Sequence, residues 1–450
     1  MNKTNLMGTE NLGKLLFRFS LPAVVGMLVN SIYNIVDRIF IGNVIGSMAL
    51  AGLTIGFPIM LILMGFGMLI GFGGTSLVSI KLGEGKKEEA DKIISNAFSL
   101  LIIIPLILTI LGLIFLKPML ISFGATEEIM PYASQYLQII LIGAVFQALS
   151  LGMNNFIRGE GNPRIAMITM LIGGILNIIL DALFIVVFKM GIKGAALATI
   201  ISLSVSTFWV LRYFFNGKSV LKITVKNMKL DFETVKKILA LGLPPFSIQI
   251  LGSVIVILFN NRLIIYSGEI GVSALGIVNS INTFVMMPII GVKQGVQPII
   301  GFNYGAKKYD RVRKALFLGI LTTALIGTLG LLITRVFPHE IARIFSPEES
   351  LIQESVRAMK YFMLMLPLVG FQIIGANHFQ AIGKPKHSML LSTSRQAILL
   401  IPLLLILPNY FGANGIWMAV PIADFFASLL TFTFLFHEIK LMRKKELSGK

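Results

Sequence analysis

The chain has 450 residues, of which 55% are hydrophobic and only 13% are charged. A soluble domain of this length cannot bury so much apolar surface, so the composition indicates a membrane protein with no separate soluble domain. The lack of cysteine excludes disulfides, thiolate metal sites and thiol catalysis, and four scattered histidines argue against a histidine metal cluster.

Many stretches of the sequence are long and apolar enough to cross a hydrocarbon core about 30 Å thick, which takes about 20 helical residues. Twelve such spans lie near residues 15–41, 49–80, 93–116, 132–157, 165–188, 194–215, 238–266, 272–302, 315–337, 357–381, 388–409 and 415–437. The sequence therefore predicts an all-α integral membrane protein with 12 transmembrane helices.

Lysine and arginine are divided unevenly between the two sides of the membrane that these spans define. When residues at the ends of spans are counted with the adjoining loop, the termini and the even-numbered loops contain 28 of them, the odd-numbered loops contain 7, and four lie at membrane depth. Because cytoplasmic loops carry the excess of positive charge, this bias predicts that both termini are cytoplasmic. The net charge of +18 is thus interpreted as a topology signal and not as a sign of nucleic-acid binding.

The two halves of the chain repeat each other at a separation of about 222 residues. Ser20-Leu21-Pro22 in span 1 corresponds to Gly242-Leu243-Pro244 in span 7. Gly161-Asn162-Pro163 after span 4 corresponds to Gly383-Lys384-Pro385 after span 10. Each half contains an even number of spans, so both halves insert in the same orientation.

The repeat divides the chain into two pseudo-symmetric lobes of six helices each. We predict an N-lobe at residues 1–215, a basic cytoplasmic linker at 216–237 and a C-lobe at 238–450. Parallel repeats of this kind commonly place a substrate cavity between two lobes that rock against each other.

Span 1 contains an acidic residue, Asp37, in its last part. An Asp at the centre of a membrane helix costs about 2.5 to 3.5 kcal/mol on insertion scales, so Asp37 needs a partner or a function that offsets the cost. Tyr33 and Asn34 precede it at i−4 and i−3 and share its helical face. A purely structural alternative is that Asp37 pairs with the adjacent Arg38.

Span 5 contains a second acid with an amide beside it. Asn177 and Asp181 are one i, i+4 step apart, and Thr199 in span 6 offers a hydroxyl. With Asp37 they form an oxygen-only set, which suits a hard cation or a proton and not a soft metal. A carboxylate held out of water can exchange one cation for another as the lobes change arrangement. The alternative is that Asp181 is satisfied by a backbone group.

The second half places basic residues at membrane depth instead. Arg262, Lys293 and Arg395 lie within or near its spans, with Asp424 as the acid that could balance them. These cations could be counter-ions of Asp424 or a lock between the lobes, contacts for an anionic substrate group, or side chains that snorkel near helix ends. Asp424 could equally be a structural partner of Arg395.

Four segments together carry a family resemblance. They are Asn34-Ile-Val-Asp37-Arg-Ile-Phe-Ile-Gly42, Arg158-Gly-Glu-Gly-Asn-Pro163, Asn177-Ile-Ile-Leu-Asp181 and Gly295-Val-Gln-Pro-Ile-Ile-Gly-Phe-Asn-Tyr-Gly305. The chain resembles the multidrug and toxic compound extrusion (MATE) family, and especially its bacterial MepA-like branch. The resemblance implies a MATE/MOP-type fold, a V-shaped pair of six-helix lobes that exports organic cations against an inward Na⁺ or H⁺ gradient.

The resemblance also implies roles for individual residues. The first-lobe cation site of the family, where Na⁺ could also bind, corresponds to Asp37, Asn177, Asp181 and Thr199. The polar residues that surround this site in the family, some of which contact substrate, correspond to Tyr33, Asn34, Tyr136 and Asn154. Pro22 matches the proline around which span 1 is proposed to bend. Some branches also use acids in spans 7 and 10, where this chain has Gln249 and Gln372.

The sequence thus predicts an antiporter coupled to H⁺ or Na⁺ that exports organic cations and multiple drugs by alternating access. We expect no cofactor beyond the coupling ion, and no enzyme motif appears in the spans. The expected partners are hydrophobic organic cations and membrane lipids, for a monomer in the bacterial cytoplasmic (inner) membrane. The alternative is a flippase for lipid-linked saccharides of the wider MOP superfamily, which would line its cavity with several basic residues.

Overall fold

The computed structural model describes residues 3–447, and residues 1, 2 and 448–450 at the ends of the predicted lobes lie outside this part. The described part is helical and contains no strand. Its α-helices are α1 (Lys3–Thr9), α2 (Leu12–Phe40), α3 (Ser47–Gly83), α4 (Lys87–Ile114), α5 (Leu116–Ser122), α6 (Met130–Ile142), α7 (Ala144–Gly159), α8 (Pro163–Asp181), α9 (Gly191–Phe215), α10 (Phe232–Gly305), α11 (Tyr309–Val336), α12 (Pro338–Phe345), α13 (Glu349–Phe362), α14 (Leu366–Ala381), α15 (Pro385–Thr393), α16 (Ile401–Ile406), α17 (Pro408–Phe411) and α18 (Ala413–Leu447).

Short segments of other helix types interrupt this series. A 3₁₀ turn forms at Val225–Met228, and π-helical segments form at Ile41–Ile45, Ala182–Val187 and Ser394–Leu400. Each π segment continues an α-helix within one membrane span, so the side chains that follow it are rotated relative to an unbroken α-helix.

The apolar helices account for the predicted spans. Among residues 3–447, nine elements are long and apolar enough to cross a bilayer, and two helix pairs bent by 53° (α6–α7) and 49° (α13–α14) each make one more. The 74 residues of α10 would extend about 110 Å as one helix, but α10 breaks at Gly268, where φ is 62°. It therefore crosses twice, and the all-α membrane architecture with twelve spans is confirmed.

The chain forms two compact units. The first contains Val25–Phe246 and the segment that ends at Thr9, and the second contains Glu10–Val24 and the chain from Ser247 onward. Each unit therefore includes one helical segment that the sequence repeat assigns to the other half. The predicted linker belongs to the first unit.

The chain passes between the units inside two helices, α2 and α10. The change occurs two residues after Pro22 in α2 and two residues after Pro244 in α10. These two prolines correspond in the sequence repeat, so both crossings fall at the same place in each half. A proline inside a helix removes one backbone hydrogen bond and favours a kink.

Each unit has its own apolar core. In the first unit, one cluster of buried side chains surrounds Phe156 and another surrounds Tyr136. In the second unit, the core surrounds Trp417, whose indole Nε1 donates a hydrogen bond to Glu354 at 3.1 Å. Many large apolar side chains remain exposed on the outside, such as Phe208 at 70%, as expected for surfaces that face lipid.

In the first unit, the backbones of α3 and of the first part of α10 come into direct contact at two glycines. A Cβ atom added to Gly73 would lie 2.0 Å from the carbonyl oxygen of Ile238. One added to Gly242 would lie 1.7 Å from the carbonyl oxygen of Leu69. Neither position can hold a side chain, because backbone atoms of the neighbouring helix occupy that space.

The second unit repeats this contact between α2 and the last part of α10. A Cβ on Gly295 would lie 2.9 Å from the amide nitrogen of Ser20, and one on Gly291 would lie 2.7 Å from the Cα of Val24. Gly295 and Ser20 are the repeat equivalents of Gly73 and Gly242. The same close approach thus holds the exchanged helical segment in both units.

Replacement of Gly73 by alanine should destabilise the protein. The added methyl group forces α3 and α10 apart, and overpacking of this kind costs about 1–3 kcal/mol. We expect a lower melting temperature for Gly73→Ala in a thermal unfolding assay of the detergent-purified protein. The control is Gly276→Ala, where a Cβ meets nothing within 4 Å and the helix propensity improves. Equal melting temperatures for the two variants would contradict the close packing.

Candidate functional site

Asp37 and Asp181, the two acids that the sequence predicts for the cation site, each lie near the point where an α-helix changes to a π-helix. Asp37 is in the last turn of α2, directly before the π segment Ile41–Ile45. Asp181 is the last residue of α8, directly before the π segment Ala182–Val187. Distortions of this kind are frequent at functional sites, because they redirect side chains without breaking the span.

The structure brings the two acids together. Asp37 is 8% exposed and Asp181 is fully buried. The charges of the two carboxylates act on each other, and both act on the phenol groups of Tyr33 and Tyr136. These four side chains therefore form one polar site, which lies within the first unit and which we call the acidic site.

Asn177 and Thr199 complete the acidic site. The amide of Asn177 donates a long hydrogen bond of 3.5 Å to the hydroxyl of Thr199. The Thr199 hydroxyl donates to the carbonyl of Ala195 at 3.0 Å and shares a hydrogen bond with Tyr136. Tyr136 and Asn177 are buried, at 1% and 2% exposure. The side chains thus hold one another in place from α6, α8 and α9.

Several buried oxygens of the acidic site accept no hydrogen bond from any described residue. They are Oδ1 of Asp37, Oδ1 of Asn177 and both carboxylate oxygens of Asp181. Leaving such oxygens unsatisfied costs several kcal/mol, and most when they are charged, unless a positive guest supplies the missing interaction. Carboxylate, amide and hydroxyl oxygens are the ligands that hard cations prefer, so a proton or Na⁺ fits this set.

The alternative in which Asp37 pairs with Arg38 finds no support in the described residues. They contain no salt bridge between these two side chains, although the Arg38 charge does act on Asp37. The Arg38 guanidinium lies instead over the ring of Phe57, with its Cζ 5.4 Å from the ring centroid. Arg38 is exposed, whereas Asp37 is buried.

The remaining residues of the expected polar surround are placed differently. Asn34 is exposed, and its amide donates to the carbonyl of Asn30 at 2.7 Å. Asn154 is a buried residue of α7, 3% exposed, and no hydrogen bond joins it to the acids within residues 3–447. Pro22 is buried in the part of α2 that belongs to the second unit. The roles of these residues stay predictions.

The second unit contains a buried ion pair. Nε of Arg395, in the π segment Ser394–Leu400, donates to Oδ1 of Asp424 in α18. Asp424 is 1% exposed, and the Arg395 side chain is 26% exposed. The structure therefore shows Asp424 paired with Arg395, which is one of the interpretations that the sequence left open. The other two basic residues, Arg262 and Lys293, are half-buried in α10.

Gln249 and Gln372, which occupy the positions where some family branches have acids, differ in burial and in hydrogen bonding. Gln249 is half-buried in α10, and its backbone carbonyl accepts from Ser253 at 3.4 Å. Gln372 is 4% exposed in α14, and its Oε1 has no partner among the described residues. Neither carries a charge that could be exchanged for a cation.

Sequence reasoning missed a buried polar pair in α14. Asn377 and His378 are 2% and 0% exposed, and their side-chain nitrogens have no hydrogen-bond partner in residues 3–447. The available signal was the sequence repeat, because Asn377 corresponds to Asn155, which is buried in α7. Sequence reasoning also missed the buried Glu160 in the loop after α7.

A family model matches most of the chain, and relatives match more than nine tenths of it. The MatE family model matches residues 22–183 and 235–406. Multidrug export protein MepA of Staphylococcus haemolyticus (strain JCSC1435) is 28% identical over 411 residues, which cover 91% of this chain and 90% of that protein. Multidrug export protein MepA of Staphylococcus aureus (strain MRSA252) is 29% identical over 418 residues, which cover 92% of each chain.

Solved structures share the fold over nearly its full length. A MOP superfamily transporter from Pyrococcus furiosus, described as having a binding pocket of reverse polarity, has a TM-score of 0.93 at 25% identity and covers 98% of this chain and 99% of its own. A MATE structure in complex with MaL6 has a TM-score of 0.93 at 26% identity, with 99% and 100% covered. A MATE structure in the bent conformation gives 0.93 at 26%, with 99% of each chain covered.

Removal of the carboxylate from the ion pair should destabilise the second unit. Asp424→Asn leaves the guanidinium of Arg395 with no anion, which should cost about 2 kcal/mol, less than the roughly 3–5 kcal/mol of a fully buried pair because Arg395 is 26% exposed. The control is the double variant Arg395→Met with Asp424→Leu, in which no charge is left unpaired. Thermal unfolding should rank the double variant above Asp424→Asn, and the reverse order would contradict the assignment.

Proposed function

Since the chain belongs to the MatE family and is a MepA-like multidrug efflux transporter of the membrane and not an enzyme, we propose that it is an antiporter in which H⁺ or Na⁺ drives drug export. The single observation that carries this proposal is the acidic site, where Asp37 and Asp181 are both buried, affect each other electrostatically and have oxygens that accept no hydrogen bond from residues 3–447. Two such groups supply a negative site that a coupling cation and a cationic substrate can occupy in turn.

Exchange follows from the electrostatics of the acidic site. Two carboxylates close together in a medium of low dielectric constant repel each other strongly unless a positive charge lies between or on them. Binding of a proton or Na⁺ therefore changes the free energy of the whole site, and a cationic drug can compete for the same charge. If the coupling ion and the drug each favour a different conformation of the transporter, binding of one shifts the population away from the conformation that the other favours.

The chemistry of the donors supports H⁺ or Na⁺ as the coupling ion. The acidic site offers oxygens from carboxylates, an amide and hydroxyls, and residues 3–447 contain no group of three or more His, Cys, Asp or Glu that could hold a metal ion. A transition metal would prefer nitrogen or sulfur ligands. A hard monovalent cation or a proton matches the site.

The expected substrates are hydrophobic organic cations. The relatives are multidrug export proteins by name, and the negative charge of the acidic site suits positively charged substrates. We further propose that this multi-pass protein works as a monomer surrounded by lipid in the bacterial cytoplasmic membrane. The excess of Lys and Arg in the termini and even-numbered loops supports cytoplasmic termini.

The flippase alternative is not favoured. It requires several basic side chains free to contact an anionic lipid-linked substrate. Arg395 is already engaged with Asp424, which removes one of the three candidates. The family match and the names of the relatives point to drug export as well.

Neutralisation of Asp181 should abolish transport without unfolding the protein. Asp181→Asn keeps the shape of the side chain but cannot bind a proton or attract a cation, so we expect complete loss of drug uptake into everted membrane vesicles. Its melting temperature should stay equal to or above that of the unmodified protein, because a buried charge is removed. Glu128→Gln, which changes an exposed acid outside the site, is the control with unchanged transport. Full transport by Asp181→Asn would remove the coupling site.

The two candidate ions can be separated through Thr199. In proteoliposomes, we expect either an imposed Na⁺ gradient or an imposed pH gradient to drive substrate efflux. Thr199→Val removes a hydroxyl that can ligate Na⁺ but leaves both proton-accepting carboxylates. It should therefore weaken Na⁺-driven efflux, as a higher half-saturating Na⁺ concentration, and leave proton-driven efflux intact. Efflux that responds to neither gradient would contradict antiport.

A further inference from the structure

The segment that joins α9 to α10 has one face bonded to the protein and one face exposed. We call residues 216–237 the connector. It lies entirely in the first unit, and apart from one 3₁₀ turn and the start of α10 it has no regular secondary structure. Its sequence contains six lysines and two acids, Asp231 and Glu233.

The buried carboxylate of Glu160 holds the start of the connector. Glu160 is 2% exposed and accepts hydrogen bonds from the hydroxyls of Tyr213 and Ser219. It also accepts from the backbone N–H groups of Val220 at 3.0 Å and Leu221 at 3.3 Å. Burial raises the pKa of this carboxyl, although the donors around it act in the opposite direction.

Polar side chains along α4 bind the backbone of the rest of the connector. The bonds are Lys222 N–H to Asp91 at 2.8 Å, Thr224 N–H to Ser95 at 3.2 Å, Asn96 amide to the Asn227 carbonyl at 3.0 Å, Asp231 N–H to Asn96 at 2.8 Å and Ser99 hydroxyl to the Met228 carbonyl at 2.8 Å. Backbone groups of the connector are thus satisfied from one side, and its side chains can face outward.

The end of the connector is fixed by a helix cap. The Asp231 carboxylate accepts from the N–H of Thr234 at 3.0 Å and from its hydroxyl at 2.6 Å, and it pairs with Lys92 of α4 at 3.1 Å. The Thr234 hydroxyl, Lys92 and the Thr234 N–H lower the pKa of Asp231 to about 2, so this end stays fixed under mildly acidic conditions. Asp231 is therefore engaged and does not neutralise the outward lysines.

The connector lies at the depth where lipid contact begins. Residues 93–101 of α4 are buried on every side, and the connector covers this stretch as far as Ser99. The first strongly exposed apolar residue of α4 beyond it is Ile103, 41% exposed, which is four residues or about 6 Å further along the helix. The connector therefore lies at the boundary between the hydrocarbon and the headgroup region.

The outer face of the connector combines apolar and positively charged side chains. Val225 is 87% exposed, Phe232 is 76% exposed and Leu230 is 43% exposed. Six exposed lysines are interleaved with them, namely Lys218, Lys222, Lys226, Lys229, Lys236 and Lys237. Apolar side chains that enter the interface, next to lysines that reach phosphate groups, are typical of surfaces that bind anionic membranes.

We propose that the outer face of the connector binds anionic phospholipid headgroups, with Val225 and Phe232 inserted among them and the lysines paired with their phosphates. Charge complementarity identifies the occupant, because six lysines face outward against the single acid Glu233. The depth of the connector favours lipid over a soluble protein. The first unit is thereby attached to one leaflet at a point separate from the acidic site.

The absence of native cysteine allows a direct test with a single spin label. The full-length variant Val225→Cys carries a nitroxide in nanodiscs of phosphatidylcholine alone or of equal parts phosphatidylcholine and phosphatidylglycerol. Collision with oxygen, which partitions into lipid, is compared with collision with a water-soluble nickel chelate. We expect the label to be shielded from nickel and open to oxygen in the anionic discs, and exposed to nickel in the neutral discs.

The charge dependence is tested by added substitutions. Lys226→Gln with Lys229→Gln should abolish the protection from nickel in anionic discs. Lys117→Gln with Lys193→Gln removes the same charge from exposed positions at the starts of α5 and α9 and should leave the protection intact. Drug transport by each labelled protein reports correct folding and is expected to be unchanged. A label that is equally exposed or equally shielded in both lipids, or is indifferent to Lys226 and Lys229, would overturn the proposal.

Discussion

Two carboxylates held out of water impose the main constraint on this protein. Asp37 and Asp181 are buried in one polar site, and three of their oxygens accept no hydrogen bond from the part of the chain that the structure describes. Such charges are tolerated in a membrane protein only if a partner compensates them or if a function requires them. A π segment follows each of the two helices that carry these acids, and a hydrogen bond joins Asn177 and Thr199 within the same site. The second unit meets the same constraint differently, since Asp424 has Arg395 as a permanent partner.

The packing of helices within each unit depends on the absence of side chains at a few positions. Gly73 and Gly242 in the first unit, and Gly295 in the second, allow neighbouring helix backbones to touch. In lipid there is little hydrophobic gain from association of apolar helices, so close van der Waals contact between backbones supplies much of the attraction.

Much of the fold could be predicted from the sequence because the relevant signals are local. Runs of apolar residues define the spans, and Asp37 and Asp181 stand out inside them. The i, i+4 spacing of Asn177 and Asp181 places them on one face of α8. The exchange of helical segments between the units, the π segments and the bonds to Glu160 could not be predicted, because they depend on contacts between residues distant in the chain. The partner of Arg395 was one of several alternatives until the structure brought α18 beside it.

The hydrogen bonds of the connector to α4 and Glu160 also restrict the conformational freedom of the chain between α9 and α10. A loop as long as residues 216–231 between two helices would normally act as a flexible linker, whose length tolerates large displacements of the helices it joins. Here its backbone is bonded along most of its length to the first unit, so no free chain remains between α9 and α10. The two remaining passages of the chain from one unit to the other run inside the helices α2 and α10, two residues after Pro22 and Pro244, so both connections are helical and neither is a flexible linker.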